Sequence, residues 1–162
     1  MESDLHTQDL THLRHALGLA SEHMEAGHGG PFGAVVVRDG RILGQGWNQV
    51  TTTADPTAHA EVVAIRAACR ILGDFRLTGS VLYASCEPCP MCLAAAWWAR
   101  VDRIVFAGSR ADAAAVGFDD AEIYAEIGRP LGERRLPVIR MLDSEGATVL
   151  RSWLDFSGRV PY

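Results

Sequence analysis

His59-Ala60-Glu61 and, further along, Ser85-Cys86-Glu87-Pro88-Cys89-Pro90-Met91-Cys92 are the stretches on which the reading of this sequence turns. Cys89 and Cys92 stand at i and i+3 at the predicted start of a helix, a spacing that puts both sulfurs on one face of its first turn. A helix N-terminus also favours thiolate, the form of cysteine that binds metal. His59, at the predicted start of another helix, adds an imidazole. Two thiolates and one imidazole suit Zn²⁺, one ion per subunit. Structural zinc sites are closed by four protein ligands, whereas catalytic ones keep a position for water. Three good ligands stand out here. Cys86 is the tempting fourth, although a turn before Pro88 would point it away from the pair. A closed staple of His59, Cys86, Cys89 and Cys92 is the alternative. Glu61, just past His59, is placed to move protons beside a zinc site rather than to bind the metal.

The flanking sequence supplies a scaffold. Residues 7–26 read as an amphipathic helix with Leu10, Leu13, Leu17, Ala20 and Met24 on one face, stopping at Gly27. Ala34–Val37 and Ile42–Trp47 read as strands around Asp39-Gly40, a strong hairpin signal. Residues 48–58 are a polar loop. His59–Leu72 is a predicted helix ending near Gly73, Val81–Ala84 a strand, Cys89–Arg100 a helix and Ile104–Ala107 a strand. Residues 108–134 read as irregular, with a short helix over Ala121–Ile127. Pro137–Leu142 is read as a last strand and Thr148–Phe156 as a last helix. The central order β-β-α-β-α-β predicts an α/β layered sheet with helices on its faces. The Gly44-Gln45-Gly46 stretch is not a dinucleotide loop, since no third glycine and no helix follow it.

Composition narrows the chemistry. The chain has 162 residues, enough for one domain with a substantial core. All 15 of its Lys+Arg residues are arginine, so no lysine Schiff base and no Walker A lysine exists. The formal net charge of -5 leans away from nucleic acid and towards a small-molecule substrate. The longest apolar run, Met91–Ala99, falls far short of a membrane span. The acidic N-terminus MESDLHTQDL lacks a signal-peptide core, so a cytoplasmic protein, with no membrane partner, is expected. Without a secretion signal, three cysteines within residues 86–92 favour metal over disulfides, and Cys69 is read as a small buried hydrophobe. His6, His12, His15, His23 and His28 are not expected to be ligands, although His28 lies beside the Gly29-Gly30 loop.

The His-x-Glu and Pro-Cys-x-x-Cys pair resembles the signature of the cytidine deaminase-like zinc hydrolases. That resemblance implies His59, Cys89 and Cys92 as zinc ligands and Glu61 as proton shuttle. It also implies a three-layer α/β/α fold with a mixed five-stranded sheet and the zinc held between two helix N-termini. Segments 29–34 (GGPFGA), 48–61 (NQVTTTADPTAHAE), 85–92 (SCEPCPMC), 98–100 (WAR) and 115–120 (AVGFDD) extend the likeness to the small bacterial guanine deaminases. It runs over nearly the whole chain, read as one deaminase domain over 1–162. The implied activity is hydrolytic deamination of guanine to xanthine and ammonia.

Asn48 offers both a donor and an acceptor to a purine edge, or serves as a loop cap. Phe32 could stack on a base or anchor the core, and Trp98 could wall the pocket or pack inside. Asp119 and Asp120 read as solvated charge, and Asp120 as a helix cap. The resemblance instead places Asp120 against the N–H groups of the base, moving protons there. In the resembled enzymes the C-terminal segment crosses to a partner subunit and closes its site. That implies a homodimer with a swapped tail over about residues 145–162, ending in Tyr162. The alternatives are a guanosine, cytosine or other nucleoside deaminase, a tRNA adenosine deaminase, and a zinc-stabilised binding module without catalysis.

Overall fold

The computed structural model describes residues 2–161, and the chain resolves into two compact units, one ending at Asp120 and one beginning at Ala121. In the first unit, helix α1 (Glu2–Glu25) leads into strands β1 (Gly33–Arg38) and β2 (Arg41–Trp47). They are joined by the expected hairpin. Asp39 and Gly40 both take positive φ, 51° and 71°, as a two-residue turn of primed type requires. A single turn of helix, α2 (Val50–Thr53), interrupts the polar loop. Helix α3 (Ala60–Leu72), strand β3 (Ser80–Cys86), helix α4 (Pro90–Trp98), strand β4 (Arg103–Gly108) and helix α5 (Arg110–Ala115) follow.

The sheet order is β2-β1-β3-β4. β1 runs antiparallel to both β2 and β3, and β3 runs parallel to β4, so the sheet is mixed. The resemblance implies five strands, and the sheet has four. The missing one is the stretch 137–142, which pairs with no strand among the described residues. Its apolar residues suggest a strand, yet Ile139 and Met141 are both 79% exposed. Apolar content without a neighbour to share hydrogen bonds does not make a strand. Leu142, at φ 54°, ends the run by turning the chain into the next helix.

Both faces of the sheet are covered. Val35, Val37 and Tyr83 pack with Leu13 and Leu19 of α1, while Ala34, Val36 and Leu82 pack with Ala60, Ala64, Ile65 and Ala96 of α3 and α4. Glycines on the strands set how closely the helices approach. A Cβ on Gly33 would lie 2.3 Å from the Ala16 carbonyl oxygen of α1. On Gly44 it would lie 2.3 Å from Ala64 O, and on Gly46 2.6 Å from Ala60 O, both on α3. Gly44-Gln45-Gly46 is therefore a seat for a helix.

The same close docking corrects the predicted face of α1. Ala16, Leu19 and Ala20 are buried, whereas Leu10, Leu17 and Met24 are exposed. Ala16 and Ala20 let the helix close on the sheet with Leu13 and Leu19 packed beside them, so of the predicted face Leu13 and Ala20 point inward. The irregular reading of 108–134 also gives way at α5. Ser109 and Asp112 form a reciprocal capping box there, with Asp112 N donating to Ser109 Oγ at 3.2 Å and Ser109 N donating to Asp112 Oδ2 at 2.8 Å.

The second unit holds α6 (Ala121–Ile127), a short 3₁₀ turn over Leu131–Glu133, α7 (Asp143–Ser152) and a 3₁₀ turn over Trp153–Asp155. No helix among the described residues is long and apolar enough to cross a membrane.

Candidate functional site

The site forms where two helices begin. His59 is the N-cap of α3 and Cys89 the N-cap of α4, each with extended backbone, and Pro90 occupies the first turn of α4. The α3 start is held down by its glycine seat on β2. The α4 start follows the carboxyl end of β3, the usual place for sites on sheets with parallel strands. Gly33 N donates to Ser85 Oγ at 3.0 Å there, tying β1 to the end of β3.

His59, Cys89 and Cys92 converge, with one ligand atom from each lying within 4.8 Å of the others. His59 Nδ1 is 3.5 Å from Cys89 Sγ and 3.6 Å from Cys92 Sγ. It is the one group of three or more potential metal ligands among the described residues. Two sulfurs and one imidazole nitrogen at such separations fit a tetrahedral zinc ion with one position open. Cys86 is not part of the group. Its Sγ faces Ser109 O at 3.5 Å, so the closed four-ligand staple does not form.

The thiols share protons unequally. A hydrogen bond from Cys92, with help from nearby His59, holds the Cys89 thiol down to about 4 despite its burial. That same bond to Cys89, together with burial, pushes the Cys92 thiol up. The hydrogen bond to Cys89 raises His59 above its ordinary range, against the opposing effect of burial. Cys89 is thus poised as a thiolate.

Glu61 stands beside the ligands without joining them. Its side chain is buried, and Oε2 is 3.4 Å from Cys92 Sγ. Burial raises the carboxyl above its ordinary value. A carboxyl with raised affinity for a proton, beside a group of residues that could hold a metal, is equipped to give and take one.

The other candidates are placed as follows. Asn48 is buried, and its Oδ1 accepts from Gly30 N at 3.4 Å and from Val50 N at 3.3 Å. Half-buried Phe32 meets Phe118 edge-on, with ring centroids 4.9 Å apart and an interplanar angle of 88°. Phe118 stands in the 115–120 segment that carries the resemblance, but the sequence gives it no role of its own; the contact with Phe32 does. Burial raises the half-buried Asp120 carboxyl, Arg110 pulls it back and Cys89 pushes it up again, so Asp120 feels the charge of the metal group. Trp98, at the far end of α4 from the metal group, is 59% exposed. Tyr162 lies outside the described residues. His28 pairs with His23, Nδ1 to Nδ1 at 3.0 Å, and Cys69 packs against the core.

Residues 6–108 match the cytidine and deoxycytidylate deaminase zinc-binding region. Over 152 residues, 94% of this chain and 97% of the relative, the sequence is 49% identical to guanine deaminase of Bacillus subtilis (strain 168). The X-ray structure of guanine deaminase from Bacillus subtilis superposes with a TM-score of 0.91 over the same shares of the two chains. A tRNA-specific adenosine deaminase of Haemophilus influenzae is 42% identical over 114 residues, 67% of this chain and 65% of that protein.

Proposed function

The chain belongs to the cytidine and deoxycytidylate deaminase zinc-binding family, and we propose that it hydrolyses guanine to xanthine and ammonia. The carrying observation is the reach of the likeness. The guanine deaminase match extends over 94% of the chain, whereas the tRNA deaminase match stops at 67%. The net charge of -5 also favours a small purine over an anticodon loop.

His59, Cys89 and Cys92 are the residues that would hold the zinc. Zinc in such a site brings the ionisation of water near neutral pH and stabilises developing negative charge. The chain's residues do the rest. Glu61 takes a proton from the attacking water and delivers it to the ring nitrogen beside C2, making that carbon electrophilic. The water oxygen bonds to C2, Glu61 takes the remaining proton from the new C2 hydroxyl and passes it to the exocyclic amine, and the C2–N bond breaks to leave the xanthine carbonyl and ammonia. Asp120 accepts from the N–H groups of the base and Asn48 meets its other edge. Phe32 offers an aromatic face to the ring, while Trp98, at the other end of α4, is left without a place beside it.

The reading extends to assembly. We assign the C-terminal segment, ending in Tyr162, the task of closing the site of a second copy in a homodimer. Exposed apolar residues within the second unit, Val149 at 71% and Leu150 at 76%, support a packing partner for it. Mixing a Glu61→Gln chain with one lacking residues 157–162 tests this. Recovery of activity in the mixture supports exchange of tails, and two inactive parents that stay inactive together overturn it.

Ammonia release from guanine, with guanosine, cytosine and adenine in parallel, tests the substrate. Release from guanine with little from the others supports the reading. Release from guanosine or cytosine alone would retain the family chemistry and overturn the assignment of the base.

A further inference from the structure

Asn48 is held at its main-chain N–H and at its side-chain oxygen, and Gly29 lies directly against its main chain. Its main-chain N–H donates to Phe32 O at 3.0 Å. Its Oδ1 accepts from two backbone N–H groups, those of Gly30 and Val50. Backbone N–H groups only donate, so the side-chain atom that faces them is the amide oxygen. The amide nitrogen Nδ2 engages no acceptor among the described residues and is what remains for a ligand. Gly29 makes the approach possible. It has φ 156°, and a Cβ there would fall 1.8 Å from Asn48 O, 2.8 Å from Asn48 C and 3.2 Å from Asn48 Oδ1. No side chain fits at those distances, and any substitution must push the Asn48 backbone away.

We propose that Gly29 is a positioning residue: its missing Cβ lets the Asn48 main chain close in, so that the Gly30 and Val50 N–H groups hold Oδ1 and leave Nδ2 as a donor to an acceptor on the purine. This rests on the guanine reading. It complements Asp120, which takes the donors of the same base. Guanine carries acceptors at its six-position oxygen and at its unsubstituted ring nitrogens, so one base satisfies both residues.

The test combines kinetics with a measurement that needs no substrate. Gly29→Ala, Asn48→Ala, Asn48→Asp and the Gly29→Ala/Asn48→Ala pair are compared with the parent, all loaded with zinc. Gly29→Ala is expected to raise KM for guanine about tenfold with a smaller change in kcat. The double variant is expected to bind no worse than Asn48→Ala, because Gly29 acts through Asn48. Asn48→Asp is expected to bind worse than Asn48→Ala, since its second oxygen would face an acceptor. In ¹H–¹⁵N spectra of the substrate-free protein, the Asn48 side-chain amide resonance, identified by its loss in Asn48→Ala, should shift in Gly29→Ala. Additive effects in the double variant, an Asn48→Asp enzyme with parental KM, or an unmoved amide resonance would each overturn the assignment. A Gly29→Ala chain that cannot fold at all would overturn the assignment, because Gly29 would then serve the fold rather than the placement of Asn48, while the order of Asn48→Asp and Asn48→Ala tests the donor role of Asn48. A parent that releases no ammonia from guanine would sink the substrate reading, and the amide resonance would then decide the role of Gly29 alone.

Discussion

Gly46 of β2 lies so close beneath α3 that a methyl group on it would come within 2.6 Å of the Ala60 carbonyl oxygen. Ala60 stands between His59 and Glu61, so the glycine seats the turn of helix that carries both. Gly46→Ala should overpack this contact and cost about 1–3 kcal/mol. Calorimetry should show the lower melting temperature, and chelator competition a faster loss of zinc. A parental melt and parental zinc retention would mean that the helix docks with more slack than described.

Glu61 is buried 3.4 Å from Cys92 Sγ and outside the ligand group. Glu61→Gln should therefore keep one zinc per chain and lose about 10²–10⁴-fold in turnover. Metal analysis and single-turnover kinetics check the two halves separately. An active variant with full zinc would remove Glu61 from the proton path.

Cys86 faces Ser109 O and not the metal group. Cys86→Ser should retain stoichiometric zinc, whereas Cys89→Ser and Cys92→Ser should not. Loss of zinc from Cys86→Ser would instead indicate a closed, four-ligand site and a structural role for the ion.

Asp9 joins α1 to the sheet. It accepts from Arg103 at 2.7 and 2.8 Å and from the Tyr83 hydroxyl at 2.6 Å. The Arg103 guanidinium holds the Asp9 carboxyl below its usual 3.8. A depressed carboxylate contributes stability that is present above about pH 4 and fades as pH falls through the lowered value. Arg103 is 46% exposed, so the contribution is about 1 kcal/mol or less. Melting curves of the parent and Asp9→Asn should differ at pH 6 and converge towards pH 3. A gap that persists at pH 3 would point to lost packing rather than lost charge.

The metal group was legible because its signal is local. Spacing within residues 89–92 and a helix start fix two ligands, and the His-x-Glu pair supplies the third with its neighbour. The hairpin at Asp39-Gly40 was legible because its turn has few chemical solutions. What escaped depends on the other side of a contact. The face of α1 is legible at Leu13 and Ala20 but not at Leu10, Leu17 and Met24, because periodicity counts large apolar residues while the close approach to Gly33 is made at Ala16, Leu19 and Ala20. The stretch 137–142 was misread because strand content says nothing about whether a partner exists. Gly29 is one more loop glycine in the sequence, and only the Asn48 carbonyl lying against it in the fold sets it apart.

Conversion of guanine to xanthine by the zinc-loaded chain, followed in the ultraviolet alongside ammonia, is the most direct test of the account. It predicts one xanthine and one ammonia per guanine, loss of turnover on chelation and recovery when zinc returns. A folded protein with one zinc per chain that forms no xanthine would contradict it.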